Sequence, residues 1–256
     1  MTTNDNHQVV SRQLIAVADP AELANTAATR LLARIAANSG RVAICLTGGS
    51  SPKRLYQLLA TEVFRSQIPW DRVHWFIGDE RLVPASDSLN NMAMARSAFL
   101  DQCAPAANIH SIPTETADPA DPDRSAALYQ REMQSFYGAD SLDRARPLFD
   151  LVLMGLGSDG HTASLFPGYP ALDETARWVV GVPKANVEPF VPRITLTLPT
   201  LACCHEMLFE IAGADKRAIL TRVLAGANLP ANRASSIGDT VWLVDRAALP
   251  ENFRGY

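Results

Sequence analysis

The chain is poor in cysteine, has no long apolar run and carries no excess of basic charge; each shortage closes off a class of function. Only four cysteines occur in 256 residues: Cys45, Cys103, Cys203 and Cys204. None are spaced as Cys-x-x-Cys, and the only close pair, Cys203-Cys204, is adjacent. A chain of this length can bury a proper core, so these read as reduced thiols packed as small hydrophobes in a cytosolic protein. Cys and His at zinc-ligand spacing are lacking, and neither a metal nor a cofactor is expected. No stretch approaches the ~20 apolar residues of a membrane-spanning helix. Met1–Val10 (MTTNDNHQVV) has neither the basic start nor the apolar segment of a secretory signal, which points to the cytoplasm.

Lys and Arg number 23 against 27 Asp and Glu, a formal net charge of −4. That balance argues against nucleic acid and anionic membrane surfaces as partners, because both demand extended clusters of cations. At first sight it also disfavours a small anionic substrate, but net charge is a poor guide to the field inside one cleft. No internal repeat appears, and no linker is long or polar enough to divide the chain, so residues 1–256 are read as a single α/β domain.

Strand-like and helix-like segments alternate along it. Arg12–Ala18 reads as a strand, followed by Asp19 as cap and Pro20–Ala37 as a helix with apolar residues at Leu23, Ala27, Leu31 and Ile35. Arg41–Thr47 is a buried strand, and a helix begins with Ser51 as cap and Pro52 as first residue, running through Phe64. Val73–Ile77 is a strand and Asn90–Leu100 helical; the proline-rich Cys103–Asp123 is loop around a short strand at Ile109–Ile112. A helix follows at Arg124–Tyr137, then strands at Phe149–Met154, Trp178–Val182, Ile194–Leu198 and Glu206–Ala212. Asp215–Leu224 is helical and Val241–Val244 is the last strand. This order predicts a mostly parallel, Rossmann-like sheet with helices on both faces, and ligands in such sheets bind beyond the carboxyl ends of the strands.

Three strand ends carry distinctive chemistry. After the first comes Thr47-Gly48-Gly49-Ser50-Ser51-Pro52, where glycines let the backbone approach a ligand, a helix N-terminus offers free N–H groups, and Thr47 and Ser50 add hydroxyls. The set suits a phosphate or carboxylate, although a plain strand-to-helix turn has the same composition; Walker A spacing is absent. The second is Gly78-Asp79-Glu80-Arg81, either a solvated turn or ionisable groups aimed into a site. The third is Gly155-Leu156-Gly157-Ser158-Asp159-Gly160-His161-Thr162. Its glycines match G-x-G-x-x-G, but Pro167-Gly168 leaves no room for a long phosphate-binding helix, and no acidic residue ends the next strand to hold a ribose. His161 two residues from Asp159 fits acid–base work better, since imidazole titrates near working pH. Arg193 and Lys216, ordinary surface charges when taken singly, would complete an anion site.

Together these segments resemble the 6-phosphogluconolactonases. TGGSSP (47–52), GDERLVP (78–84), GLGSDGHTASLFPG (155–168), Arg193–Leu198, Asp215-Lys216-Arg217 and the closing Trp242–Asp245 with Ala247-Ala248 occur in that family's order and span essentially the whole chain. The resemblance implies an α/β fold shared with glucosamine-6-phosphate deaminases. It also implies hydrolysis of 6-phospho-D-glucono-1,5-lactone to 6-phosphogluconate in the oxidative pentose phosphate pathway. One departure is Asn90-Asn91, where many relatives have Ser-Asn. Deaminases of the fold carry a catalytic glutamate before the Pro-Gly that follows Asp-Gly-His; here that position is Phe166, which cannot relay a proton. A non-catalytic sugar-phosphate sensor is the competing class, but such proteins commonly add a DNA-binding module, for which Met1–Ser11 is too short.

The residues then take expected roles. His161 is the general base toward water, Asp159 or Asp79 holds the imidazole or contacts sugar hydroxyls, and Arg81 or nearby N–H groups stabilise the oxyanion. Thr47, Gly48, Gly49, Ser50, Arg193 and Lys216 hold the 6-phosphate. No G-x-S-x-G elbow is present, which disfavours an acyl-enzyme on serine. The partner is a small phosphosugar lactone, and the chain is taken as a monomer with a dimer as the alternative.

Overall fold

Short runs of Val, Ile, Leu and Phe become six strands of one sheet in a computed structural model that describes residues 12–115, 121–251 and 253. The strands are β1 (Arg12–Val17), β2 (Val42–Leu46), β3 (Val73–Ile77), β5 (Phe149–Met154), β8 (Cys204–Ile211) and β9 (Asp239–Asp245), with β4 (Asp79–Arg81), β6 (Val179–Val182) and β7 (Arg193–Leu196) in a second sheet. Their order is β1-β9-β8-β5-β2-β3 and every neighbouring pair is parallel. Successive side chains of a strand point to opposite faces, yet β2 and β5 are buried at every position, so both faces of the sheet are covered.

The helix α1 (Pro20–Ala37) has the bounds its sequence marks. Asp19 accepts from the N–H of Ala21 and Glu22 at 2.8 and 2.9 Å, Pro20 opens the first turn, and Leu23, Ala27, Leu31 and Ile35 are buried. The next helix departs from expectation. α2 spans Ser50–Leu59 with Gly49 at the cap position, not Ser51, and no side chain caps it. Thr61 then turns extended, donating its hydroxyl to Leu58 O, and only a separate turn at Glu62–Arg65 follows.

Two further expectations are corrected. Ile109–Ile112 is not a strand: Ile109 makes a single bridge with Trp75, between Pro105 and Pro113, neither of which can donate to a ladder. Asp79–Arg81 is not a turn but β4, and it joins β6 (Val179–Val182) and β7 (Arg193–Leu196) in an antiparallel sheet of order β4-β7-β6. Gly78 links the two sheets, donating to Leu46 O at 2.9 Å and accepting from Leu196 N at 2.8 Å. The expectation for Met1–Ser11 lies outside the described residues. All four cysteines are free, and no described helix is long and apolar enough to cross a membrane.

The chain leaves β2 for β3 on one side and β5 for β8 on the other. The adjacent strands β2 and β5 therefore flank the point where the winding reverses, the place where open α/β sheets leave a crevice for ligands. Thr47–Gly49 follow β2, and the loop bearing His161 follows β5.

Candidate active site

One open cleft of about 420 Å³ lies over these strand ends, a size suited to a small molecule. Thr47, Gly48 and Gly49 line it from β2, Asp79 and Arg81 from β4, and His161, Arg193 and Lys216 close it from three other segments. Asp159 stands behind the imidazole of His161. Ser50 does not join the lining; it is exposed at the start of α2.

The glycines of the β5 loop shape the base. Gly157 N–H donates to His161 O at 2.8 Å, and Gly160 turns the chain at φ 90°, a region that favours glycine. Asp159 Oδ1 lies 2.6 Å from His161 Nδ1 and also accepts from the His161 N–H at 3.0 Å. A proton held on Nδ1 by this carboxylate leaves the Nε2 lone pair free as a base. Burial works to raise the Asp159 carboxyl, but the hydrogen bonds from His161 outweigh it and hold the group below its ordinary range. Phe166 packs against the imidazole with ring centroids 4.8 Å apart.

Gly157 has no room for a side chain. A Cβ there meets His161 Cε1 and Nδ1 at 2.1 Å, so Gly157→Ala must push the ring aside. A displacement of about 1 Å costs on the order of a hundredfold in rate. Steady-state kcat of a variant whose circular dichroism matches wild type checks this.

The other carboxylate, Asp79, lines the cleft and has a partner of its own. Asp79 Oδ2 accepts from Ser164 Oγ at 2.6 Å, and Ser164 N–H donates to Thr195 Oγ1 at 3.2 Å. The register of β4 on β7 sets Arg81 directly opposite Arg193. Like charges opposed across a ladder repel unless an anion lies between them. Arg81 donates to Leu89 O at 2.6 Å and Arg193 to Pro189 O at 2.8 Å, while the Nε of each is buried without a partner among the described residues. Burial lowers the proton affinity of Arg193, and nearby Asp79 works against that. Lys216 is half-buried, 3.7 Å from the Asp215 carboxylate.

Several lining or supporting residues escaped sequence reasoning. Asn91 and Ala163 line the cleft, Ala163 in the left-handed region at φ 48°, uncommon for a residue with a Cβ. Asn90 caps its helix by accepting from Ala93 N–H at 2.8 Å. Glu80 is fully buried, and burial pushes its carboxyl up to about 7 against the hydrogen bonds it accepts from Asn91, Met92 and Arg81. The departure at Asn90-Asn91 was the one local signal of this group; the rest depends on contacts between distant segments.

The chain is similar to known proteins over most of its length. A family model described as glucosamine-6-phosphate isomerases/6-phosphogluconolactonase matches residues 18–242. A 6-phosphogluconolactonase of Synechocystis sp. is 38% identical over 238 residues, covering 91% of this chain and 93% of its own. The solved structure of 6-phosphogluconolactonase from Trypanosoma cruzi superposes with a TM-score of 0.82 at 30% identity, covering 98% of this chain and 100% of its own. A monomeric glucosamine-6-phosphate deaminase shares the fold, with a TM-score of 0.76 at 17% identity over 92% of this chain and 98% of its own.

Proposed function

The chain belongs to the glucosamine-6-phosphate isomerase/6-phosphogluconolactonase family, and we propose that it hydrolyses 6-phospho-D-glucono-1,5-lactone to 6-phospho-D-gluconate in the oxidative pentose phosphate pathway. The observation that carries this reading is a base and an anion site on one cleft: His161 backed by Asp159 faces the same space as the opposed Arg81 and Arg193.

In the proposed reaction a water attacks C1 of the lactone while His161 Nε2 takes its proton. The resulting oxyanion is met by Arg81 or by main-chain N–H groups near it, and such preorganised donors are often the largest catalytic contribution in acyl transfer. Collapse of the tetrahedral intermediate breaks the bond from C1 to the ring oxygen, and the imidazolium returns the proton to that oxygen. One water is consumed and one carboxylic acid forms, which ionises into solvent. Asp159 keeps the imidazole in the tautomer that begins the cycle. Thr47, Gly48, Gly49 and Ser50 with Arg193 and Lys216 form the proposed 6-phosphate site, Ser50 through the main-chain N–H of the α2 start rather than its exposed side chain. Phe166 supports hydrolysis over deamination, because a phenyl ring offers no second proton carrier.

Charge reversal of the cations tests the phosphate site. Arg193→Glu and Lys216→Glu should each raise KM for the phosphorylated lactone on the order of tenfold to a hundredfold, the worth of one hydrogen bond to a charged group. Both should leave the hydrolysis of unphosphorylated gluconolactone much less affected. Equal wild-type efficiency on the phosphorylated and unphosphorylated lactones would sink the phosphate site.

A further inference from the structure

The two walls of the cleft come from different strand ends, and one residue touches both. The Asn91 side chain donates from Nδ2 to Asp79 O at 3.0 Å, and its amide lies flat against Gly48, where a Cβ would fall 2.0 Å from Asn91 Oδ1. Asn91 is itself held from below. Glu80 Oε1 accepts from Asn91 N–H at 2.7 Å and from Arg81 N–H at 2.8 Å, and Oε2 accepts from Met92 N–H at 2.9 Å. A fully buried carboxylate thus ties β4 to the first turn of the helix Asn91–Ala95. The guanidinium of Arg81 is bound to Leu89 O, in the loop that this tie closes.

We propose that Glu80 is a positioning residue for the reaction: through the main chain of Asn91 it fixes the Asn91 amide between Asp79 and Gly48, and so sets the spacing of the two walls that grip the substrate. Glu80 itself does not line the cleft; it acts through Asn91 and through the main chain of Arg81. The role rests on the lactonase reading of the cleft. Its requirement is a carboxylate, since only a group with two acceptor oxygens meets three N–H donors. In Glu80→Gln the amide oxygen can meet the Asn91 and Arg81 N–H groups, but the NH₂ group then faces Met92 N–H, donor against donor, so the shape is kept and the first turn of the helix is pushed away.

The test measures kcat and KM for the phosphorylated lactone in E80Q, N91A and the double variant, with thermal unfolding to confirm the fold. Misplaced binding groups weaken ground state and transition state alike, so KM should rise on the order of tenfold in E80Q, and kcat should fall as well because the Arg81 segment that meets the oxyanion moves with the wall. N91A should behave the same way, and the double variant should be no worse than the worse single, because both break one chain of contacts. Unchanged KM in folded E80Q, or effects of the singles that multiply in the double, overturns the role. If E80Q does not fold, N91A decides: an unchanged KM there overturns it. Calorimetric titration of the same proteins with 6-phosphogluconate separates this role from the proposed function. Weaker binding in the variants supports positioning even if wild type lacks turnover. Wild-type turnover with unaltered KM and affinity in folded variants rejects positioning alone.

Discussion

His161→Ala lowers kcat for the phosphorylated lactone by about two to four orders of magnitude, the usual contribution of a positioned general base. Its affinity for 6-phosphogluconate stays within a few-fold of wild type, because the cations and the Thr47–Gly49 loop are separate from the imidazole. The size of the loss follows from the local geometry. Asp159 lies 2.6 Å from Nδ1, and its carboxyl is held ionised by that contact, so the ring is oriented and charged with one task. Asp159→Asn should therefore lose activity as well, since an amide that donates to Nδ1 puts the proton on Nε2, where the base is needed. Single-turnover rates with purified, folded variants measure both effects. A near-normal kcat in His161→Ala removes the base assignment.

Glu210→Gln becomes more stable relative to wild type as pH rises from 5 to 8. Glu206 and Glu210 are two buried glutamates on the same face of β8, four residues apart. Glu206 meets Arg30 and Arg34, each at 2.6 Å. Glu210 is 4% exposed, and neither of its carboxyl oxygens has a hydrogen-bond partner among the described residues. Burial pushes its carboxyl from 4.5 up to about 8. In the unfolded chain the group loses its proton near pH 4.5, whereas the folded protein keeps it to about 8. The unfolded state binds fewer protons in that window, so wild-type stability falls as pH rises through it and levels off above. At about 1.4 kcal/mol per unit the loss is on the order of 4 kcal/mol, which Gln, having no proton to lose, does not suffer. Urea unfolding at pH 5, 6.5 and 8 reads the difference. A gap between the two proteins that stays constant with pH contradicts a neutral Glu210.

The parallel sheet was legible because its strands are buried on both faces and read as unbroken apolar runs, and α1 because Asp19-Pro20 is a local start signal. β4 was not. Three charged residues in a row look like a solvated turn until Glu80 finds N–H donors on Asn91 and Met92, and Asp79 finds Ser164. Those partners lie outside any local window. The same division runs through the candidate site. Asp159 and His161 sit two apart in one turn, so their pairing could be read directly, while the opposition of Arg81 and Arg193 depends on antiparallel register. The Asn91 contact with Gly48 depends on where a helix lands, and the exposure of the Ser50 side chain follows from α2 starting two residues earlier than Ser51-Pro52 suggest.

The formal net charge of −4 describes the chain as a whole and says little about one cleft. Within the cleft the balance is local, with Arg81, Arg193 and Lys216 gathered around one space. The most direct test generates the lactone by oxidising glucose-6-phosphate and follows its disappearance with and without the protein. Disappearance far faster than the spontaneous hydrolysis, and abolished in His161→Ala, is the predicted result; a lactone that decays at its uncatalysed rate in the presence of folded wild-type protein contradicts the proposed activity.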